Sequence, residues 1–71
     1  MTARCQVFEK RGIVWRAKLQ PGGVERDVAL ELAAKLARLE DRTVEVREVV
    51  SGELVATFPG ITRHNREVSG P

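Results

Sequence analysis

Apolar and polar positions alternate at both ends of this chain, and a helical period separates the two alternating stretches. In "ARCQVFEKRGIVWRAKLQ" (3–20), Ala3, Cys5, Val7, Ile13, Trp15, Ala17 and Leu19 all fall at odd positions. A period of two marks a strand with one covered face. Lys10-Arg11-Gly12 reads as a three-residue hairpin loop, because glycine accepts the positive φ required at the loop's last position. That loop pairs Glu9 with Ile13, Val7 with Trp15 and Cys5 with Ala17, gathering the odd-numbered set on one face. Arg4, Gln6, Arg16 and Lys18 then lie on the other face, together with a cross-strand Phe8–Val14 pair.

The second alternating stretch covers 43–58. Val44, Val46, Leu54, Ala56 and Phe58 share even positions. A Val50-Ser51-Gly52 loop pairs Glu48 with Leu54, Val46 with Ala56 and Val44 with Phe58, again with glycine last. Glu45, Arg47, Val49, Glu53, Val55 and Thr57 are left outward. Between the hairpins, "VERDVALELAAKLARLED" is rich in helix formers and free of Gly and Pro. Its Val28, Leu32, Leu36 and Leu39 fall within about 80° of arc, which predicts them as the buried stripe. Glu31 and Lys35 form a favourable i,i+4 pair on the far side. "QPGG" (20–23) and "EDR" (40–42) are the connections.

The predicted fold is therefore α+β, in the order ββαββ: two β-hairpins in one four-stranded sheet, with a single α-helix packed on one face. Residues 1–60 form one small domain. Residues 61–71, "ITRHNREVSGP", are polar and carry Gly and Pro, so a disordered C-terminal tail is expected there. One helix over one sheet face leaves the other face open.

Composition narrows the functional classes. The 71 residues are 42% hydrophobic and 31% charged, a globular balance near the lower size limit for a self-sufficient core. Cores this small supply only about 3–5 kcal/mol, so a staple or a partner is often needed. Cys5 is the only cysteine, which removes an intrachain disulfide, and Cys5 and His64 have no metal-ligand spacing around them. No cofactor, metal or small-molecule ligand is expected. No apolar run approaches the ~20 residues of a membrane span, and the start of the chain lacks a signal-peptide block. A cytoplasmic protein of bacterial or phage type is the expectation.

Charge is unevenly placed. The net charge is only +2, yet 1–20 carries Arg4, Lys10, Arg11, Arg16 and Lys18 against Glu9 alone. Residues 43–60 carry Glu45, Glu48 and Glu53 against Arg47. The first hairpin is basic and the second acidic.

Catalysis has little to stand on. A nucleophile needs a base within hydrogen-bond reach. Cys5 faces the predicted core, and His64 lies in the tail. Glu9 and Glu48 sit on apolar hairpin faces, but each is beside a turn, where a side chain can bend out to water. "PGG" and "RGI" match no phosphate-cradling motif. No enzymatic activity is expected.

Two binding readings follow. In the first, Phe8, Val14, Val49 and Val55 form an apolar patch on the open sheet face, with Arg16 and Arg47 in its rim. Such a patch fits a protein-interaction module, expected to be a homodimer or to take a protein partner. In the second, Arg4, Lys10, Arg11, Arg16 and Lys18 line the first hairpin as a basic ribbon for nucleic acid. Both features also have plain structural roles, since cross-strand pairs stabilise hairpins and basic residues guard sheet edges.

Overall fold

The computed structural model describes residues 3–60. Strands β1 (Arg4–Arg11), β2 (Val14–Ala17) and β3 (Val24–Glu25) precede helix α1 (Arg26–Glu40), and β4 (Val44–Glu48) and β5 (Leu54–Phe58) follow it. The sheet is antiparallel, in the order β2-β1-β4-β5, with β3 paired to β1. The α+β layout is as the sequence predicts, with one addition: the first residues of the expected helix form β3, making five strands. The expected tail, 61–71, lies outside the described residues.

Strand β1 organises the sheet. One edge pairs with β4 from Cys5 to Glu9. The other edge is shared, because β2 covers Phe8–Arg11 and β3 covers Arg4 and Cys5. The Gln6 side chain fills the gap. Its Oε1 accepts from the backbone N–H groups of Val7 (3.0 Å) and Leu19 (2.9 Å). Its Nε2 donates to the carbonyls of Leu19 (3.2 Å) and Gln20 (3.1 Å). One amide thus satisfies backbone groups that a ladder would otherwise pair, as a buried polar group must. The chain then turns at Pro21-Gly22 and closes with Gly23 N–H on Gln20 O at 3.0 Å. At Gly23, φ is +67° and a Cβ would lie 2.1 Å from the Cys5 carbonyl oxygen. Only glycine fits there.

The first hairpin departs from the predicted register by three residues, with Glu9 opposite Arg16 instead of Ile13. Gly12 and Ile13 form a two-residue loop, and the pairs are Arg11–Val14, Lys10–Trp15, Glu9–Arg16 and Phe8–Ala17. Gly12 has φ +65° and Ile13 does not share it, the pattern of a type II′ turn with glycine in its first central position. A slip by an odd number of residues exchanges the faces of a whole strand. Trp15 and Ala17 therefore lie with Phe8 on the side away from the helix, while Val14 and Arg16 face the helix side.

The second hairpin keeps Val44 opposite Phe58 and Val46 opposite Ala56, as the alternation implies. Nearer the tip, a bulge shifts the register so that Arg47 faces Leu54 instead of Glu48. Glu48 N–H donates to Glu53 O at 2.9 Å, closing a four-residue loop rather than a three-residue one. The extra residue in β5 turns Val55 inward, where it packs on the core, and leaves Leu54 outward. A bulge acts in this way because two residues then oppose one, and the side-chain alternation restarts.

The helix is also turned relative to expectation. Ala29, Ala33 and Ala37 are buried against Cys5, Val7, Val44 and Val46, whereas Val28 and Leu39 are exposed. At about 100° per residue, the three alanines span about 80°, and Leu36 and Leu30 lie about 20° beyond either end. Both leucines pack on the core. The sheet's valines already fill the space beneath the helix axis, so small residues fit the middle and long ones straddle it. The helix ends at Asp41, whose φ of 54° is left-handed, and buried Gly60 sits against the Asp41–Arg42 backbone.

Candidate interaction surface on the open sheet face

The face without a helix is built from Gln6, Phe8 and Lys10 of β1, Trp15 and Ala17 of β2, and Glu45 and Arg47 of β4. Leu54 adds to it through its pairing with Arg47. Phe8 is half-buried, while Trp15 and Leu54 are exposed at 38% and 47%. A shallow depression of about 230 Å³ lies between Phe8, Trp15, Glu45 and Arg47. A second, of about 220 Å³, lies on the other side of Phe8 and Arg47, toward Gln6 and Val49. Phe8 is thus the ridge of the face.

Charged groups hold its floor. Arg47 Nε donates to Glu45 Oε1 at 3.1 Å, and its Nη1 donates to Gly52 O at 2.9 Å. The Lys10 ammonium stands 5.8 Å from the Trp15 ring centroid, within range of a cation–π attraction. A smaller polar cleft of about 140 Å³ lies elsewhere, between Lys10, Gly12 and the Asp41–Thr43 turn. Its volume suits a few waters.

The residues expected in the patch divide. Phe8 and Arg47 are on the open face, and Val49 is at its end near Gly22. Val14 and Arg16 are on the opposite side of β2, so the Phe8–Val14 pair does not form, and Val55 belongs to the core. Trp15 and Leu54 take their places. A signal for Trp15 was present, since Gly followed by one residue is a type II′ loop; the competing three-residue loop gave the better apolar face. Nothing in the sequence flagged the bulge that exposes Leu54.

The basic ribbon also divides. Arg4 donates to Gly22 O (3.2 Å) and Gly23 O (2.6 Å), tying down the chain before β3. Arg11 and Lys18 gather on Glu9 Oε1, at 3.0 and 3.6 Å. Arg16 lies across the strand pair from Glu9, on that same side. Lys10 and Arg4 share a face with Phe8, at opposite ends of β1, and Arg4 is held there by the Gly22 and Gly23 carbonyls. The expected row of Arg4, Arg16 and Lys18 on one face is absent because the register slip separates it.

Glu9 is a correction of another kind. Instead of bending out to water it is fully buried, with Oε2 lacking a hydrogen-bond partner among the described residues. Burial alone pushes its pKa up. The hydrogen bond from Arg11 and the charges of Lys18, Arg11 and Arg42 outweigh that effect and hold it below its ordinary value of 4.5. Glu48 is half-buried and accepts from Ser51 Oγ at 2.8 Å. Glu9 lies beside Val44 and Glu48 beside Cys5 in the β1–β4 ladder, roughly 13 Å apart along the strands. The two carboxylates do not form a pair. His64 lies outside the described residues.

The fold and this face define a small α+β protein with one uncovered sheet surface. Comparison of the chain with protein-family models, curated proteins and solved structures found no match. No helix among the described residues is long and apolar enough to cross a membrane.

Proposed function

We propose that this chain is a small, non-enzymatic protein-interaction module that associates with a second copy of itself through the open sheet face. The observation that carries the proposal is the placement of Phe8 and Trp15 around one depression of that face, lined also by Glu45 and Arg47, with Leu54 exposed beyond Arg47. An apolar centre with charged neighbours is how many association surfaces are built. A neighbouring acid and base suit self-pairing, since a two-fold axis can set each against its opposite. A small core also gains by burying further apolar surface. The residues with chemical potential serve the structure instead: Cys5 fills the core, and Glu9 gathers cations.

Light scattering across a concentration series tests the proposal. A species of twice the 7.9 kDa chain mass is expected at high micromolar concentration. A monomer throughout that range overturns it. Trp15→Lys should keep the circular dichroism of the fold and weaken association at least tenfold.

A second reading, binding of a single-stranded nucleic acid, draws on the Phe8 and Trp15 rings beside Lys10, since such rings stack on bases. It has less support, because Arg16 and Lys18 face away. A labelled oligonucleotide that stays free at low salt discards it.

A further inference from the structure

Four large apolar residues of α1 leave the alanine floor in one direction. Counted from Ala33 at about 100° per residue, Leu36 lies about 60° away, Leu32 about 100°, Leu39 about 120° and Val28 about 140°, all in the same sense. Leu36 reaches the core, Leu32 is half-buried, and Val28 and Leu39 are exposed at 43% and 78%. One flank of the helix is therefore an apolar wall, and Lys35, about 160° round, forms its outer rim. The other flank has no such row, since Ala34, Asp27 and Arg38 follow Leu30 there.

The crossover decides what this wall looks onto. Strands β3 and β4 pair with opposite edges of β1 and both run antiparallel to it, so they are parallel to each other. Connections of this kind are right-handed. With α1 above the sheet, that hand turns the Leu36 flank toward β2 and the Leu30 flank toward β5. Strand β2 lies outside the helix's cover. Val14 and Arg16 face the helix side, yet every residue of the strand is exposed, Val14 at 55%. The space between α1 and β2 is a groove with no described element over it. Its helix wall is apolar. Its strand wall carries Val14 with Arg11, Arg16 and Lys18, three cations against the one carboxylate of Glu9.

We propose that the groove between α1 and β2 binds an amphipathic helix of a protein partner, apolar on the face that meets Leu32, Leu39 and Val14 and edged with carboxylates. The groove is separate from the open sheet face, so this inference does not depend on the self-association proposed above. Apolar anchors spaced three and four residues apart are how a groove reads a helix. Charge along the rims selects the occupant. A second copy of α1 would bring Lys35 against an already basic rim, and residues 61–71 carry Arg63 and Arg66 against Glu67 alone. A nucleic acid would satisfy the cations but leave Val28, Leu32 and Leu39 without apolar cover.

Fluorescence anisotropy with labelled model peptides tests the proposal on the full chain. Three peptides of about 15 residues are compared: one with leucines at helical spacing flanked by glutamates, one with the same leucines flanked by lysines, and one with glutamates but serine in place of leucine. The leucine–glutamate peptide should bind about tenfold more tightly than either of the others at low salt. Leu39→Lys should weaken it about tenfold, and Arg16→Glu should weaken it while strengthening the lysine peptide. Trp15→Lys, on the open face, should leave its affinity within about twofold. Failure of the leucine–glutamate peptide to bind, as a groove filled by a second copy or by residues 61–71 would give, overturns the proposal. Equal binding of the serine peptide overturns it too, because charge alone would then suffice. So does displacement by a labelled oligonucleotide that Leu39→Lys leaves unchanged. A chain that is monomeric by light scattering yet binds the peptide removes the open-face association and leaves this groove standing.

Discussion

The β1–β2 and β4–β5 hairpins differ in how far a single backbone feature reaches. In the first, the Gly12-Ile13 turn sets the register of all of β2, so both of its faces are exchanged at once. In the second, the bulge acts only near the tip, and Ala56 and Phe58 stay paired beneath the helix with Val46 and Val44. The outcomes diverge accordingly. Every residue of β2 is exposed, whereas β5 contributes Val55 and Phe58 to the core. A turn is a global choice for its strand and a bulge is a local one. The hairpin that made the global choice keeps its second strand outside the core.

Core truncation gives the largest contrast between the two. Val46→Ala removes two methyl groups from a wholly buried site beside Ala56, and should cost about 2 kcal/mol in denaturant unfolding. Val14→Ala, on the exposed β2, should stay within about 0.5 kcal/mol. Equal costs would mean that β2 is covered after all.

The turn comes next. Gly12→Ala forces an L-residue into φ +65°, with open space around the new methyl, so strain is the main effect. A loss of about 1–2 kcal/mol is expected, measured at the unfolding midpoint. No loss would argue against the type II′ turn that places Trp15 outward.

The bulge predicts an exchange of roles between neighbours. Val55→Lys should lower stability by about 1 kcal/mol or more, because Val55 packs on the core. Leu54→Lys should leave stability within about 0.5 kcal/mol and weaken association instead. Thermal unfolding and light scattering on both variants separate the two effects. The reverse pattern would place Val55 outside and remove the bulge.

Acid titration probes the first hairpin's cation cluster. The folded pKa of Glu9 lies below its ordinary 4.5, so between those values the unfolded chain binds more protons. Its stabilising contribution is fully present above about pH 4.5 and is lost as pH falls through the folded value. Glu9→Gln should flatten that part of the stability–pH profile. An unchanged acid slope would show that Arg11 and Lys18 do not hold the carboxylate.

Much of the architecture was legible without coordinates. Period-two alternation placed four strands, and the uninterrupted Ala/Leu/Glu/Lys/Arg run placed the helix, because each pattern serves a single covered face. Val7, Val44 and Val46 were read correctly as core. The make-up of the open face was half legible: Phe8 and Arg47 lie there and Val49 at its end, as expected, whereas Val14, Arg16 and Val55 lie elsewhere and Trp15 and Leu54 stand in their place. The misses share one cause. A hairpin's apolar pattern can be read in two registers when the turn admits two lengths, and the register that gathers the most apolar residues on one face is not the one that forms in either hairpin tip.

Local chemistry in the sequence determined which segments extend, which coil and where the chain must turn, because dihedral preference and period are properties of neighbouring residues. Tertiary structure decided the rest. It put Trp15 outside, turned the helix onto its alanines, inserted the Gln6 amide where strands were missing and buried Glu9 among cations. Each of these depends on how much space and how many hydrogen-bond partners the opposing element leaves, and that information is not present in any one segment.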